Sequence, residues 1–87
     1  MPYKLLLISA TDTEADALRR IPGLKIHSEG FALGNCEISL LVTGVGSVAT
    51  SWSMAKWLSS NPKPDLAINI GIAGSYRENI VVGDVVV

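Results

Sequence analysis

Residues 65–75 read Asp65-Leu66-Ala67-Ile68-Asn69-Ile70-Gly71-Ile72-Ala73-Gly74-Ser75. The first half is an apolar run typical of a strand, and the second half, residues 71–75, is a small-residue turn that we name the second glycine turn. In α/β proteins, the loops that follow the carboxyl ends of strands line the ligand site. The stretch therefore predicts an α/β fold with a small-ligand site at one sheet edge. The alternative to a ligand site is that the turn packs closely against the sheet, which would require the same small residues.

A strand, a glycine-rich turn and a helix precede this stretch. The apolar residues 36–43 lead into Thr43-Gly44-Val45-Gly46-Ser47, which we name the first glycine turn. Free backbone N–H groups before a helix can bind an anion or a polar group of a ligand. A turn with a purely structural role would explain the same residues equally well. If the two strands are parallel neighbours, their turns would form one pocket. The helix is predicted from apolar residues at helical spacing, which end before the prolines of residues 61–64: Val48, Trp52, Ala55 and Leu58.

The N-terminal part predicts a buried strand, a helix and a hairpin. Leu5-Leu6-Leu7-Ile8 is a continuous apolar run, typical of a strand covered on both faces. Thr11 and Glu14 match a capping box that begins a helix, which stops at Pro22-Gly23. Gly34-Asn35 suits a tight turn between antiparallel strands at residues 24–33 and 36–43. Strands that alternate with helices predict the α/β class.

Composition and charge exclude several classes of protein. The net charge of -1 leaves no basic stripe that could neutralise several phosphates, so nucleic acid is not an expected partner. Cys36 is the only cysteine, which excludes an intrachain disulfide and a paired-thiol metal site. The N-terminal apolar run is too short for a signal peptide or a membrane span. We therefore expect a cytoplasmic protein with no membrane partner, no metal and no cofactor.

Two kinds of role are open for the polar and aromatic residues. As the third residue after Thr11, Glu14 is fully explained by capping, but a carboxylate just past the first strand could also orient or deprotonate a water molecule. The only histidine, His27, lies in the hairpin with no partner in register, so a structural role is favoured. We interpret Trp52 and Trp57 as core or subunit-interface residues.

Four segments resemble the purine nucleosidase and phosphorylase family in order and spacing. They are Ala10-x-x-x-Glu14, Val42-Thr43-Gly44-Val45-Gly46, residues 64–75 and Val82-Gly83-Asp84-Val85-Val86. Within the family, Gly71-Ile72-Ala73-Gly74-Ser75-Tyr76 looks most like the futalosine hydrolases and next most like the methylthioadenosine/S-adenosylhomocysteine nucleosidases. The resemblance implies the N-terminal part of a nucleoside phosphorylase/hydrolase-like fold, with a twisted mixed central sheet flanked by helices, in a homo-oligomer.

The resemblance also implies an activity and its residues. A full-length enzyme would hydrolyse the N-glycosidic bond of a purine nucleoside, with futalosine as first choice, and would release hypoxanthine in menaquinone biosynthesis. Glu14 matches the acidic residue that activates the attacking water, which suits the cationic, oxocarbenium-like transition state of such reactions. The positions that match substrate-binding segments are Ala10, Thr43, Gly44, Gly46, Asn69, Gly71, Ile72, Ala73 and Gly74.

Two positions depart from the family pattern. Asn69 stands where phosphate-using members carry an arginine, which favours hydrolysis over phosphorolysis, and Ile72 stands where relatives have a serine. The family's base-binding, ribose-binding and base-protonating residues would lie beyond residue 87. Val85-Val86-Val87 also reads as the middle of a strand, so we expect residues 1–87 to be a single partial domain, inactive alone.

Other functions stay open from the sequence. Within the family, the alternatives are a methylthioadenosine/S-adenosylhomocysteine nucleosidase and a purine nucleoside phosphorylase. A catalytically silent binding or assembly fragment, which would pair its apolar terminal strand with another chain, belongs to a different class. A nucleotide-binding switch built on Gly44-Val45-Gly46 is a third possibility, although the segment lacks the remaining residues of either common nucleotide-binding loop.

Overall fold

The computed structural model describes residues 2–27 and 30–87, and the side chains of all of these except Glu14, Ala15 and His27. The helices and strands of the described residues all lie between Tyr3 and Ile70. The elements in chain order are β1 (Tyr3–Ser9), α1 (Asp12–Ala15), a 3-10 helix (Asp16–Arg20), β2 (Lys25–His27), β3 (Gly30–Leu33), β4 (Cys36–Val42), α2 (Ser47–Ser60) and β5 (Leu66–Ile70).

The five strands form one mixed sheet in the order β2-β3-β4-β1-β5. β1 is the strand next to both β4 and β5 and runs parallel to each, whereas β2, β3 and β4 pair in antiparallel fashion. The predicted α/β class with a mixed central sheet is therefore confirmed. The predicted buried strand is confirmed as well, because the consecutive residues 6–9 of β1 are all buried.

Two layers cover opposite faces of this sheet. On one face, Leu18 of the 3-10 helix packs with Leu7 and Ile38 to form the buried core. Adjacent residues of a strand point to opposite faces, so Ser39 lies on the other face, where it lines a cleft with Trp57 of α2. Within the described residues, no helix is long and apolar enough to cross a membrane.

Three predicted elements differ from the structure. The first helix begins after Thr11 as predicted, but α1 is a single turn that continues as the 3-10 helix. The segment predicted as one hairpin strand, residues 24–33, contains two strands, because β2 folds back on β3 before the Gly34-Asn35 turn joins β3 to β4. The predicted strand Val85-Val86-Val87 is wrong: these residues pair with no strand among those described, and they are exposed.

The face that α2 turns toward the sheet is not the one that carries its apolar residues at helical spacing. Those residues are exposed, with Val48 at 86% and Trp52 at 67% of their full accessibility. The half-buried residues of α2 lie on another face and are mostly small or polar: Ala49, Thr50, Ser53, Met54 and Trp57. Small and polar residues suit this position because the first part of α2 passes close to the backbone that follows β4.

A reciprocal pair of hydrogen bonds fixes the start of β5. The backbone N–H of Lys4 donates to the carboxylate of Asp65 at 2.7 Å, and the N–H of Asp65 donates to the carbonyl of Lys4 at 2.8 Å. These bonds set the register in which Leu66 pairs with Leu5. The register of β5 in turn decides where the second glycine turn emerges from the sheet.

Candidate functional site

The carboxyl ends of three parallel strands lie at one level of the sheet. Ser9, the last residue of β1, pairs with Val42 of β4 on one side and with Ile70 of β5 on the other. The next residue of each strand therefore begins a loop at the same edge: Ala10, Thr43 and Gly71. The sheet thus gathers all three predicted site segments at one edge.

The two glycine turns are not direct neighbours at this edge. β1 lies between β4 and β5, so the end of β1 separates the first turn from the second. The condition for the predicted single pocket, that β4 and β5 are neighbours, is therefore not met. Strand pairing between distant segments decides this order, and neither turn sequence contains that information.

The loops that follow β1 and β4 flank a position with the topology of a ligand site, which we name the β1–β4 crevice. After β1 the chain turns to the face that carries Leu18, and after β4 it turns to the opposite face, which carries α2. In open α/β sheets, ligands bind where adjacent strands send their connections to opposite faces. The ends of β1 and β4 satisfy that condition, with Ala10 and the first glycine turn on the two sides of the β1–β4 crevice.

The first glycine turn is bonded firmly to the end of β1. The N–H of Thr43 donates to the carbonyl of Ser9 at 2.9 Å, and the N–H of Gly44 donates to the carbonyl of Ala10 at 3.0 Å. These bonds extend the parallel pairing one step beyond the strands. Thr43 is buried, at 7% exposure, whereas Gly44 is half-buried and Gly46 is exposed.

Glycine is required at two positions of this turn. Gly44 has φ of 87° and Gly46 has φ of 96°, both in the region that side-chain-bearing residues avoid. A Cβ on Gly44 would lie 3.3 Å from the Cβ of Ala49 in α2. The helix then begins after Gly46, which as N-cap residue provides no side-chain hydrogen bond. The backbone of this turn therefore lies close to α2 at Gly44.

The second glycine turn has a different environment. Gly71, Ala73 and Gly74 are exposed, Asn69 on β5 is exposed as well, and Ile72 reaches 89% exposure. An open concavity of about 930 Å³ lies beside the turn and is lined by residues 71–75 and 80–86. None of these lining residues belongs to the first turn or to β1. The structure thus brings the second turn to the common edge without enclosing a pocket around it.

Glu14 lies in α1, directly after the end of β1. The helix begins at Asp12, which is the boundary that the capping box predicts. The side chain of Glu14 lies outside the described part of the structure, so its choice between capping and catalysis stays a prediction. The same holds for the role of His27.

The other predicted site residues carry no ionisable side chain: they are Ala10, Thr43, Gly44, Gly46, Asn69, Gly71, Ile72, Ala73 and Gly74. Glu14 is therefore the one predicted site residue whose side chain could carry a charge. Among the described residues, no group of three or more histidine, cysteine or acidic side chains is placed to hold a metal ion.

Three hydroxyl residues near the first turn escaped the sequence prediction. Ser9 is fully buried and its hydroxyl donates to the carbonyl of Thr11 at 2.9 Å. Thr50 and Ser53 of α2 both form hydrogen bonds with Thr43. The spacing of Thr50 and Ser53, three residues apart, places them on one helix face. That signal was available in the sequence, although the apolar residues of α2 lie on a different face of the helix.

Comparison with known proteins places these features in a family. The model of the phosphorylase superfamily matches residues 4–87. The 5'-methylthioadenosine/S-adenosylhomocysteine nucleosidase of Haemophilus ducreyi is 35% identical over 100% of this chain and 40% of its own length. The proteins of the same name from Glaesserella parasuis and an Exiguobacterium species are 40% and 33% identical, over 80% and 97% of this chain and 29% and 39% of their own lengths. No solved structure gives a significant match.

The chain spans between 29% and 40% of the length of these three relatives. They carry the name of the subfamily that was the second choice from the sequence. The resemblance at the family level is confirmed, because the family match extends over all but the first three residues and includes both glycine turns and residues 82–86. The chain therefore belongs to the phosphorylase superfamily.

Proposed function

We propose that residues 1–87 are the N-terminal part of a purine nucleosidase that acts on 5'-methylthioadenosine or S-adenosylhomocysteine. The observation that carries the proposal is the topology of the β1–β4 crevice: the first glycine turn follows β4 on one side, and the segment that follows β1 on the other side contains Glu14. The names of the three relatives favour these substrates. The lengths of those relatives support a partial domain, and a cytoplasmic homo-oligomer remains part of the proposal.

Hydrolysis in this crevice requires few groups from this chain. Water attacks the anomeric carbon, the bond from that carbon to the purine nitrogen breaks, and the carboxylate of Glu14 accepts the proton that the water loses. The departing base takes a proton from a residue outside these 87. The same carboxylate stabilises the positive charge that develops on the sugar. Backbone groups of the first glycine turn contact the nucleoside.

Futalosine is the second candidate substrate. It rests on the resemblance of residues 71–76 to the futalosine hydrolases. The alignments with the methylthioadenosine/S-adenosylhomocysteine nucleosidases, in contrast, cover nearly the whole chain. Asn69 supports hydrolysis for either substrate, since it stands where phosphate-using members have an arginine. An exposed amide at that position lacks the positive charge that would hold a phosphate.

A substrate panel tests the proposal. The full-length protein is incubated with methylthioadenosine, S-adenosylhomocysteine, futalosine and inosine, each with and without phosphate, and the free bases are separated by chromatography. We expect adenine from the first two substrates at a rate that phosphate does not change. Hypoxanthine from futalosine alone would select the second candidate. A strict requirement for phosphate, with a sugar phosphate as product, would contradict hydrolysis, and the absence of any free base would contradict the function.

A further inference from the structure

Thr43 is a buried polar residue whose main-chain and side-chain groups all have partners inside the protein. Its N–H donates to Ser9, and its carbonyl accepts a hydrogen bond from the hydroxyl of Ser53 at 3.1 Å. Its own hydroxyl donates to the carbonyl of Gly44 at 2.9 Å and lies 3.3 Å from the hydroxyl of Thr50. Because a hydroxyl has one hydrogen to donate, the Thr50 hydroxyl acts as the donor in the last contact.

These contacts join three elements at one residue. The N–H bond ties Thr43 to β1, and the two hydroxyl bonds tie it to the inner face of α2. Thr50 and Ser53 are both half-buried, and their hydroxyls are used in these bonds. A buried carbonyl without a donor costs free energy, so this arrangement selects one orientation of the peptide between Thr43 and Gly44.

We propose that Thr50 and Ser53 are positioning residues, which hold the first glycine turn in the conformation that binds the nucleoside. They act through Thr43 and do not touch the substrate. The inference rests on the proposed function, because it assigns the turn's backbone to nucleoside binding. Gly44 and Gly46 give the turn wide conformational freedom, and the two hydroxyls of α2 restrict that freedom before the ligand arrives.

The kinetic consequence is specific. If the turn is disordered in the free enzyme, ordering it reduces the favourable free energy of binding, but the bound complex reacts as before. Thr50→Val keeps the shape and removes the donor, and Ser53→Ala removes the other donor. The loss of one hydrogen bond corresponds to an increase in KM of about three- to tenfold. The value of kcat should stay within about a factor of two of the native enzyme.

Steady-state kinetics of the full-length protein test the proposal, with two controls. Thr50→Ser keeps the hydroxyl and should retain a nearly native KM. Ser59→Ala removes a similar serine-to-carbonyl bond of 2.8 Å at the far end of α2, on an exposed residue, and should leave KM unchanged. A KM that rises as much in Thr50→Ser as in Thr50→Val would overturn the proposal, because the methyl group and not the hydroxyl would then matter. Melting temperatures that fall with unchanged KM would also overturn it.

Hydrogen exchange provides a readout that does not depend on activity. In the native protein we expect slow exchange at the amides of Thr43 and Gly44, and faster exchange at both in Thr50→Val and Ser53→Ala. If the native protein cleaves no nucleoside but the variants exchange faster, the proposed function fails and the positioning of the turn is supported. If exchange is the same in all variants, the positioning role fails whatever the activity.

Discussion

The first and second glycine turns have similar sequences and different structures. Each consists of small residues after an apolar strand, and each strand is parallel to β1. The first turn is bonded to β1 and to α2, whereas the second is exposed and followed by residues 76–87, which form no regular helix or strand. The difference shows that similar small-residue compositions can be packed in different ways, because α2 lies over the first turn and no described helix or strand covers the second.

The two turns also differ in the backbone conformation of their glycines. Gly44 and Gly46 have positive φ, whereas Gly74 does not, and a Cβ at Gly74 would meet no atom within 4 Å. Glycine is therefore a conformational necessity in the first turn. At Gly74 the described structure would accept a larger residue, so a requirement for glycine there would have to come from a ligand or from another part of the full-length protein.

The largest expected effect concerns the crevice between the end of β1 and the first turn. Glu14→Gln removes the carboxylate but keeps a side chain that can complete a capping box. We expect kcat to fall by about two to four orders of magnitude in the full-length enzyme, because general base catalysis is lost, while the melting temperature stays nearly native. Asp12→Asn, an exposed acid in the same helical turn, serves as the matched control. A variant that loses thermal stability and keeps its turnover would assign Glu14 to capping alone.

The next effect tests the rigidity of the first turn. Gly44→Ala combines strain at a positive φ with the close approach to Ala49, so we expect the free energy of unfolding to fall by about 2 kcal/mol. Urea unfolding of the full-length protein measures it. In Gly46→Ala the backbone φ is strained, but the added Cβ meets no atom within 4 Å. The free energy of unfolding should therefore fall by less, about 1 kcal/mol. Equal stability of Gly44→Ala and the native protein would contradict the tight contact between the turn and α2.

A smaller effect is expected at the opposite end of β5. Asp65→Ala removes the carboxylate that accepts the Lys4 N–H, and we expect a loss of about 1 kcal/mol in urea unfolding. Asp65→Asn retains an acceptor oxygen, so its free energy of unfolding should lie between those of the native protein and of Asp65→Ala. Hydrogen exchange should increase in Leu66–Ile70 and not in Cys36–Val42, because only β5 depends on this bond. A uniform increase in both strands would show that Asp65 supports the whole sheet.

The smallest effect sharpens the contrast between the two turns. Gly74→Ala adds a methyl group to open space at a permitted φ, so the free energy of unfolding should change by less than about 0.5 kcal/mol. The same variant should be assayed for KM on the best nucleoside of the panel. An unchanged stability with a raised KM would indicate that a ligand approaches the second turn. A clear loss of stability would mean that residues absent from this chain pack against Gly74.

Local features of the fold could be predicted from the sequence, whereas relations between distant segments could not. The apolar runs gave β1, β4 and β5, and the capping box gave the start of α1, because these signals are contained in a few adjacent residues. The position of β1 between β4 and β5 arises from non-local pairing. The family pattern picked out segments that the sheet gathers at one edge, but it could not show that the end of β1 separates the two turns.

The face that α2 presents to the sheet does not follow from the spacing of its apolar residues, for a physical reason. Hydrophobicity alone places Val48 and Trp52 against the sheet, yet the buried carbonyl of Thr43 requires a donor, and Ser53 supplies it. The contact of α2 with Gly44 also admits only a small residue, which is Ala49. In this structure, the hydrogen bond to the Thr43 carbonyl and the close contact at Gly44 set the inner face of α2, and Val48 and Trp52 stay exposed.

The exposed side of α2 has an optical consequence. Both tryptophans of the chain lie on this helix: Trp57 is half-buried, and Trp52 is exposed with the Lys56 ammonium 5.8 Å from its ring centre. Their fluorescence should therefore contain a quenchable, red-shifted component and a shielded, bluer one. Since the same helix holds the first glycine turn, a shift of the bluer component on titration with a nucleoside would report movement of that turn without any added label.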